Sequence, residues 1–215
     1  MRYVTIQDFQ NYGTIFENIN KNDVLKTELA EYGYDETEIA KGKALYDDAS
    51  QKLDLNKTET AEEKLAYDAF AKKFGELKKT YASDRKKVKI IYKDDDRTLS
   101  ALAVKGVASI RTVALLDDMD TLYKQLQTNE TLRNPLKRLK ITDEYITAQL
   151  TLLEEVKKKY SDYLKEKGES QQATKDKDEA LAKLEKWVRE FYAITKIALE
   201  DKPQLLESVG KLVRG

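Results

Sequence analysis

The sequence contains no cysteine and no histidine, and its 215 residues include only two prolines and eight glycines. These absences exclude disulfide scaffolds, thiolate zinc sites, and the Cys-His and Ser-His-Asp nucleophile systems. They also exclude the Glu-x-x-His pairs of di-iron bundles, and the low proline and glycine content excludes collagen and low-complexity linkers. We therefore predict a protein that is not an enzyme, with no catalytic, cofactor-binding or metal-binding residues.

Long apolar runs are also missing. The least polar stretch, residues 99–116, is interrupted by Lys105 and Arg111, so no window approaches the roughly 20 apolar residues of a membrane span. The first eleven residues do not combine a basic stretch with an unbroken apolar run, as a signal peptide would. We expect a cytoplasmic protein without a membrane partner.

What the sequence does contain is charge of both signs in equal amount. Lys and Arg total 39, Asp and Glu total 39, and hydrophobic residues make up 40% of the chain. This composition is typical of long amphipathic helices and predicts an all-α fold. A net charge of zero also argues against a dedicated nucleic-acid binder, so no nucleic-acid partner is expected.

The chain resembles itself at an offset of 107 residues. Identical residues recur at this offset in both halves: Asn22/Asn129, Leu25/Leu132, Leu29/Leu136, Ile39/Ile146, Leu45/Leu152, Leu77/Leu184, Lys79/Lys186, Lys89/Lys196, Ile90/Ile197, Asp94/Asp201 and Leu99/Leu206. Apolar matches without a gap extend the series through several helical periods, which favours an internal duplication. We predict repeat units over residues 1–107 and 108–215, forming one continuous body. The apolar matches fail near residues 56–73, where we expect a loop.

Each half is predicted to form the same series of antiparallel helices. In the first half the apolar spacing indicates helices over 6–19, 35–53 and 62–92. Between the first two, a short helix carrying Leu25, Leu29 and Tyr32 is predicted to be capped by Asn22 or Asp23 and ended by Gly33. No proline separates residues 99 and 126, so we expect the two bundle units to share a long central helix there. The polar stretch 165–178 is predicted to be a loop, and the final helix is predicted over 203–213.

The paired apolar positions define the predicted core. Its members are Phe9, Phe16, Leu25, Leu29, Ile39, Leu45, Leu77, Tyr81, Ile90 and Leu99, with Leu116, Tyr123, Leu132, Leu136, Ile146, Leu152, Leu184, Val188, Ile197 and Leu206. Trp187, the only tryptophan, lies in the same helical phase and is predicted to belong to this core. Thirteen tyrosines against five phenylalanines suggest half-buried grooves or a partner surface.

Clusters of like charge are the remaining places where chemistry could occur. Acidic clusters at 94–96, 117–120 and 143–144 offer hard oxygen ligands, but their positions favour helix capping by Asp94 and solvated helix faces. Basic runs at 85–89, 137–140 and 157–159 are interpreted as solvated faces too. Two S-x-x-K matches, at Ser83 and Ser208, lack the partner motifs that give this pattern meaning.

One stretch resembles a known family. The C-terminal run from Leu199 to Arg214, LEDKPQLLESVGKLVR, is similar to the ending of an uncharacterised family of helical proteins from Bacteroides-like bacteria. This resemblance implies a helical fold and a bacterial origin, and it implies no activity.

Two functions fit these observations. The first is a non-enzymatic interaction or scaffold protein that presents helix faces to a protein partner or to a second copy of itself. The alternative is a helical bundle that encloses a small apolar ligand, because pockets between bundle helices are common binding sites. Sequence-tolerant nucleic-acid binding through the lysine runs is a third hypothesis with less support.

Overall fold

The computed structural model describes residues 4–209, which form helices and no strand. In chain order the helices are α1 (Ile6–Lys21), α2 (Asp23–Glu31), α3 (Glu36–Ile91), α4 (Asp96–Ala101), α5 (Thr112–Thr128), α6 (Glu130–Lys137), α7 (Asp143–Ala198) and α8 (Gln204–Ser208). The all-α prediction is confirmed. The last part of the predicted helix 203–213, from residue 210 onward, lies outside the described residues.

Asparagine caps set the starts of the second short helix in each half. The Asn22 side chain accepts a hydrogen bond from the Leu25 amide at 3.1 Å, and Asn129 accepts one from Leu132 at 3.2 Å. Each cap satisfies an amide that has no partner inside its helix. The predicted capping role of these asparagines is confirmed.

Helices α3 and α7 are each 56 residues long, so the loops predicted at 56–73 and 165–178 are wrong. Neither stretch contains proline; residues 56–73 are rich in Lys, Glu and Ala and residues 165–178 in Lys, Glu and Gln, all of which favour helix even where nothing is buried. The polarity of these stretches therefore reflects solvent exposure and not a break in the backbone.

The predicted central helix is also wrong, because α4 ends at Ala101 and α5 begins only at Thr112. Ala103 adopts a left-handed conformation with φ of 52°, and the Val104 amide turns back to the Leu99 carbonyl at 2.9 Å. This arrangement is a Schellman-type helix end. It buries Leu102 and Val104 fully, which a continuous helix in solvent would not do.

The chain forms two compact units that divide it differently from the sequence halves. Unit 1 contains residues 1–60 and 169–215, and unit 2 contains residues 61–168. Each unit therefore draws on both halves, and the predicted boundary at 107/108 falls inside unit 2. The repeat units 1–107 and 108–215 remain a prediction from the sequence.

Unit 1 packs α1 and α2 against the start of α3 and the end of α7. Within it α3 and α7 run antiparallel, because Glu38 contacts Trp187 at 3.1 Å and Lys52 lies 3.9 Å from Asp176. The core of this unit is formed by buried apolar side chains, among them Ile15, Phe16, Ile19, Leu25, Leu29, Leu184, Trp187, Val188 and Phe191.

Unit 2 packs α4, α5 and α6 against the end of α3 and the start of α7. Thr80 donates to Gln149 at 2.8 Å and Lys73 pairs with Glu155 at 3.2 Å, so α3 and α7 are antiparallel in this unit as well. Its core includes Leu77, Tyr81, Val88, Leu102, Leu116, Met119, Leu122, Tyr123, Leu126, Leu136 and Ile146.

The predicted core is confirmed at most positions. Thirteen of its residues are buried: Phe16, Leu25, Leu29, Ile39, Leu77, Tyr81, Leu99, Leu116, Tyr123, Leu136, Ile146, Leu184 and Val188. Another five pack at its edge: Phe9, Leu45, Leu132, Leu152 and Leu206. The predictions for Ile90 and Ile197 are wrong, because these side chains are 67% and 56% exposed. In α3 the inward position is taken by Val88, two residues before Ile90. The identical residues Ile90 and Ile197 therefore lie on the exposed faces of their helices.

Candidate functional sites

Unit 2 carries a groove lined mainly by basic and apolar side chains, which we call the basic groove. It has a volume of about 450 Å³ and lies between one face of α3 and the segment that precedes α5. Its lining residues are Lys78, Tyr81, Ala82, Arg85, Lys86 and Lys89 from α3, and Ala108, Ser109, Ile110 and Leu115 from the other wall. The α3 residues recur every three or four positions, so they share one helix face.

Two of these cations hold the opposite wall in place. Arg85 Nη2 donates to the carbonyls of Val104 at 2.9 Å and Gly106 at 3.0 Å, and Lys89 Nζ donates to Gly106 at 2.6 Å. Gly106 has a φ of 71°, which glycine adopts without strain. The segment between α4 and α5 is thus fixed to α3 through its backbone carbonyls.

None of the four groove cations, Lys78, Arg85, Lys86 and Lys89, forms an ion pair with a carboxylate within residues 4–209. Asp118 does not line the groove, and its carboxylate accepts the Ser109 amide at 3.4 Å. The groove therefore keeps a local excess of positive charge in a chain whose net charge is zero.

The Tyr81 hydroxyl and Arg85 Nε are both buried beside the groove, and the Arg85 guanidinium lies close enough to act on the Tyr81 hydroxyl as a hydrogen-bonding neighbour. Tyr81 is only 2% exposed. Burial and the charge of Asp118 raise the pKa of the Tyr81 hydroxyl, although the Arg85 guanidinium opposes this rise.

Beneath this face a fully buried carboxylate, Asp84, collects three donors. Tyr145 donates to it at 2.7 Å, Tyr123 at 3.0 Å and Lys87 at 3.0 Å. Burial and the Asp84 charge hold the pKa of both tyrosine hydroxyls above the ordinary value, so both remain protonated donors. We call Asp84, Lys87, Tyr123 and Tyr145 the Asp84 network, and its complete pairing marks it as structural.

The corresponding location in unit 1 is aromatic. At the offset of 107 residues, Asp84 corresponds to Phe191 and Tyr123 to Phe16. Trp187 stacks on Phe191 with ring centroids 5.2 Å apart and lies 5.6 Å from Phe16. The prediction that Trp187 belongs to the core is confirmed, and its indole N–H donates to Glu38 at 3.1 Å.

The acidic residues of the three clusters make separate capping and ion-pair contacts in the structure. Capping in the first cluster is done by Asp95, which accepts the Thr98 amide at 2.9 Å, so the prediction that Asp94 is the cap is wrong. Asp120 pairs with Lys124 and with Lys157, both at 2.6 Å. In the third cluster Asp143 pairs with Arg133, and with Lys137 at 3.2 Å.

The basic run at 85–89 differs from the simple solvated face that the sequence predicts. Lys87 turns inward to Asp84, whereas Arg85 and Lys89 bind backbone carbonyls of the neighbouring segment. These contacts are not predicted from the sequence, in which Asp84 and Arg85 are simply an acidic and a basic residue next to each other. Of the S-x-x-K matches, Ser83 and Lys86 are exposed on α3, and Lys211 lies outside the described residues.

Comparison of the chain with protein-family models, with curated proteins and with solved structures gave no significant match. Within residues 4–209, every helix is too short or too polar to cross a membrane. The candidate sites therefore have to be interpreted from their own chemistry.

Proposed function

We propose that this chain is a non-enzymatic interaction protein whose basic groove binds an acidic segment of a partner protein. The observation that carries this proposal is the set of four groove cations that lack carboxylate partners in the described part of the chain. A partner's Asp and Glu side chains would supply these missing carboxylates. Hydrogen bonds between charged groups are shorter and stronger than those between neutral groups.

The wall of the groove adds an apolar component. Val107 and Ile110 are 92% and 95% exposed, and Ile110 lines the groove itself. Scattered exposed apolar residues are common, but these two lie on a segment that is held beside four cations without carboxylate partners. The partner segment that fits best carries acids together with at least one apolar side chain that covers Ile110.

An acidic peptide fits this groove better than a nucleic acid does. Single-stranded nucleic acids bind through exposed aromatic faces on which the bases stack, and the one aromatic residue of this groove, Tyr81, is buried. The exposed members of its other wall are aliphatic. We therefore keep the absence of a nucleic-acid partner as part of the proposal.

Selection of random short peptides on the whole protein tests the proposal. We expect the selected peptides to be enriched in Asp and Glu and to contain an apolar residue. Their affinity should fall by about tenfold or more in the double variant Lys78→Glu/Lys86→Glu, because two attractions become repulsions. Lys64→Glu/Lys72→Glu is the matched control, because these lysines are also exposed on α3 and lie outside the groove.

Three outcomes would contradict the proposal: no enrichment of acidic peptides, equal loss of binding in both double variants, or displacement of the peptide by a single-stranded oligonucleotide. Light scattering on the purified protein tests the remaining alternative, in which the groove binds a second copy of the chain. A stable dimer that the Lys78→Glu/Lys86→Glu variant disrupts would identify a second copy as the occupant of the groove.

We also infer that the two sequence halves arose by duplication. Three features support this inference: α3 and α7 have equal length, their first residues are 107 positions apart, and Asn22 and Asn129 make the same cap. In addition, Gly33 and Lys140 share a left-handed conformation at equivalent positions. A crystal structure in which residues 6–31 do not superpose on residues 113–138 would refute it.

The cytoplasmic location, the bacterial origin and the relation to the Bacteroides-like helical family remain proposals that rest on the sequence alone. Localisation of a tagged full-length chain in its native cell would test the first of them.

A further inference from the structure

Residues 107–110, which we call the wall segment, form the part of the basic groove's wall that lies between Gly106 and α5. Residues 108–110 contain no helix, turn or bend, and the next residue, Arg111, has an extended backbone. The wall segment is therefore a short extended stretch of chain beside the cations of α3. Extended chains pair with one another through their main-chain N–H and C=O groups.

The main chain of the wall segment is open to another chain. The N–H and C=O groups of Val107, Ala108 and Ile110 make no hydrogen bond to any described residue. Ile110 is 95% exposed, a value that requires its main chain as well as its side chain to be accessible. Main-chain groups are strong donors and acceptors, and an open row of them is a template for pairing with another chain.

One hydrogen bond indicates the direction in which these groups point. The Ser109 amide donates to Asp118, a residue that does not line the groove. Successive amides of an extended chain point to opposite sides, so those of Ala108 and Ile110 point away from Asp118. Both residues line the groove. The open donors therefore lie on the side of the wall segment that a groove ligand would occupy.

The wall segment is held in place without a partner. Arg85 and Lys89 bind the carbonyl of Gly106, the residue directly before the segment. Ala108 packs against the core of unit 2. A surface that is already ordered lowers the conformational entropy lost on association. In this respect the wall segment differs from an exposed loop that a partner would first have to order.

We propose that the partner's acidic segment binds in an extended conformation and pairs its main chain with Ala108 and Ile110, while its alternate acidic side chains meet the cations of α3. In this mode of recognition main-chain hydrogen bonds add affinity and alternate side chains give specificity. The inference rests on the proposed function and specifies which conformation of the partner the groove accepts.

The dimensions of the groove fit a short extended segment. The α3 cations from Lys78 to Lys89 extend over about 16 Å of the helix axis, at about 1.5 Å per residue. An extended segment covers that distance with about five residues, each about 3.3 Å long. A helical partner would need about twice that number.

The test uses the pentapeptide acetyl-EVDVE-amide and the whole wild-type protein. Acids and valines alternate in this peptide, so in an extended conformation the carboxylates share one face and the valines share the other. Two versions of the peptide carry backbone N-methyl groups, one at its second and fourth residues and one at its third and fifth. Each methyl group removes a main-chain donor and changes no charge.

NMR titration of the protein's amide resonances would give the three affinities. We expect one methylated peptide to bind about as tightly as the parent and the other to bind about tenfold or more weakly. The reason is that only alternate amides of an extended peptide face the wall segment. Amide exchange of Ala108 and Ile110 should slow by about tenfold at saturation. Ser109 is the matched control, because its amide is already bound to Asp118.

The proposal is overturned if the two methylated peptides bind equally, or if the exchange of Ala108 and Ile110 is unchanged in the saturated complex. Failure of the proposed function gives a different result, in which no acidic peptide of any length binds. If longer acidic peptides bind through Lys78 and Lys86 but the pentapeptide does not, only the extended pairing is overturned. Every measurement of the pairing uses the wild-type chain, so no outcome depends on a variant that fails to fold.

Discussion

Removal of one hydroxyl from the Asp84 network should destabilise unit 2 measurably. Tyr123 is fully buried and donates to a carboxylate that is itself fully buried. In Tyr123→Phe the carboxylate keeps Tyr145 and Lys87 but loses one of its three donors. A hydrogen bond to a charged group contributes about 1.5–3 kcal/mol, so we expect the free energy of unfolding to fall by about 2 kcal/mol.

Urea and thermal unfolding followed by far-UV circular dichroism would measure this loss. For a chain of this size, about 2 kcal/mol corresponds to a fall of about 4–8 °C in melting temperature. Tyr67→Phe in the same unit is the control, because Tyr67 is 49% exposed and makes only a ring contact with Tyr163. We expect the control to change stability by less than about 0.5 kcal/mol.

A double-mutant cycle would test the cause. In an Asp84→Ala background the Tyr123 hydroxyl has lost its charged acceptor and keeps only its contact with Thr80, so Tyr123→Phe should then cost much less than in the wild type. The reasoning is refuted if Tyr123→Phe costs the same in both backgrounds. It is refuted equally if the loss does not exceed that of Tyr67→Phe.

Three further predictions concern packing, backbone conformation and pH. Gly42→Ala should lower the free energy of unfolding by about 1–3 kcal/mol, because a Cβ there would overlap the Trp187 ring. Gly75→Ala in the same helix should raise it by about 1 kcal/mol, because a Cβ at that position meets no other atom. Thermal unfolding of the two variants would distinguish these effects. Lys140→Gly should raise stability by about 0.5–1 kcal/mol, because Lys140 has a φ of 65° that glycine adopts without strain, and an unchanged or lower denaturation midpoint would argue against this. Burial raises the pKa of the Tyr34 hydroxyl from about 10 in the unfolded chain to about 12 in the folded protein, so the free energy of unfolding should fall as pH rises from 10 to 12. Urea midpoints across that interval, compared with those of Tyr34→Phe, would detect a smaller fall in the variant.

Much of the helical architecture could be predicted because burial leaves a period in the sequence. Leu25 and Leu29 lie four residues apart, about one helical turn, and the structure buries both. Ile90 shows where this reasoning fails. It is apolar and identical to its counterpart Ile197, but Val88 occupies the inward position, and identity alone does not specify which way a helix face turns.

The candidate sites could be predicted only in part. The sequence indicates that Arg85, Lys86 and Lys89 form a basic run, but it does not indicate that they face the segment containing Val104 and Gly106. That contact depends on the left-handed turn at Ala103, a residue with no sequence signal for such a conformation. Nor does the sequence show that Tyr34 is buried against Trp187 and Phe191, because burial depends on residues far away in the chain.

The sequence by itself determined that the chain is helical, that asparagines begin two of its short helices, and which side chains form most of its core. These are local properties, set by spacing, caps and helix propensity. The polar stretches inside α3 and α7 are helical through the same local propensity, although their polarity suggested loops. Only the tertiary structure decided that the chain breaks between α4 and α5. It also decided that each compact unit contains segments of both sequence halves. The physical reason is that packing and ion pairing between distant segments depend on the whole fold and are not specified by local residue preferences.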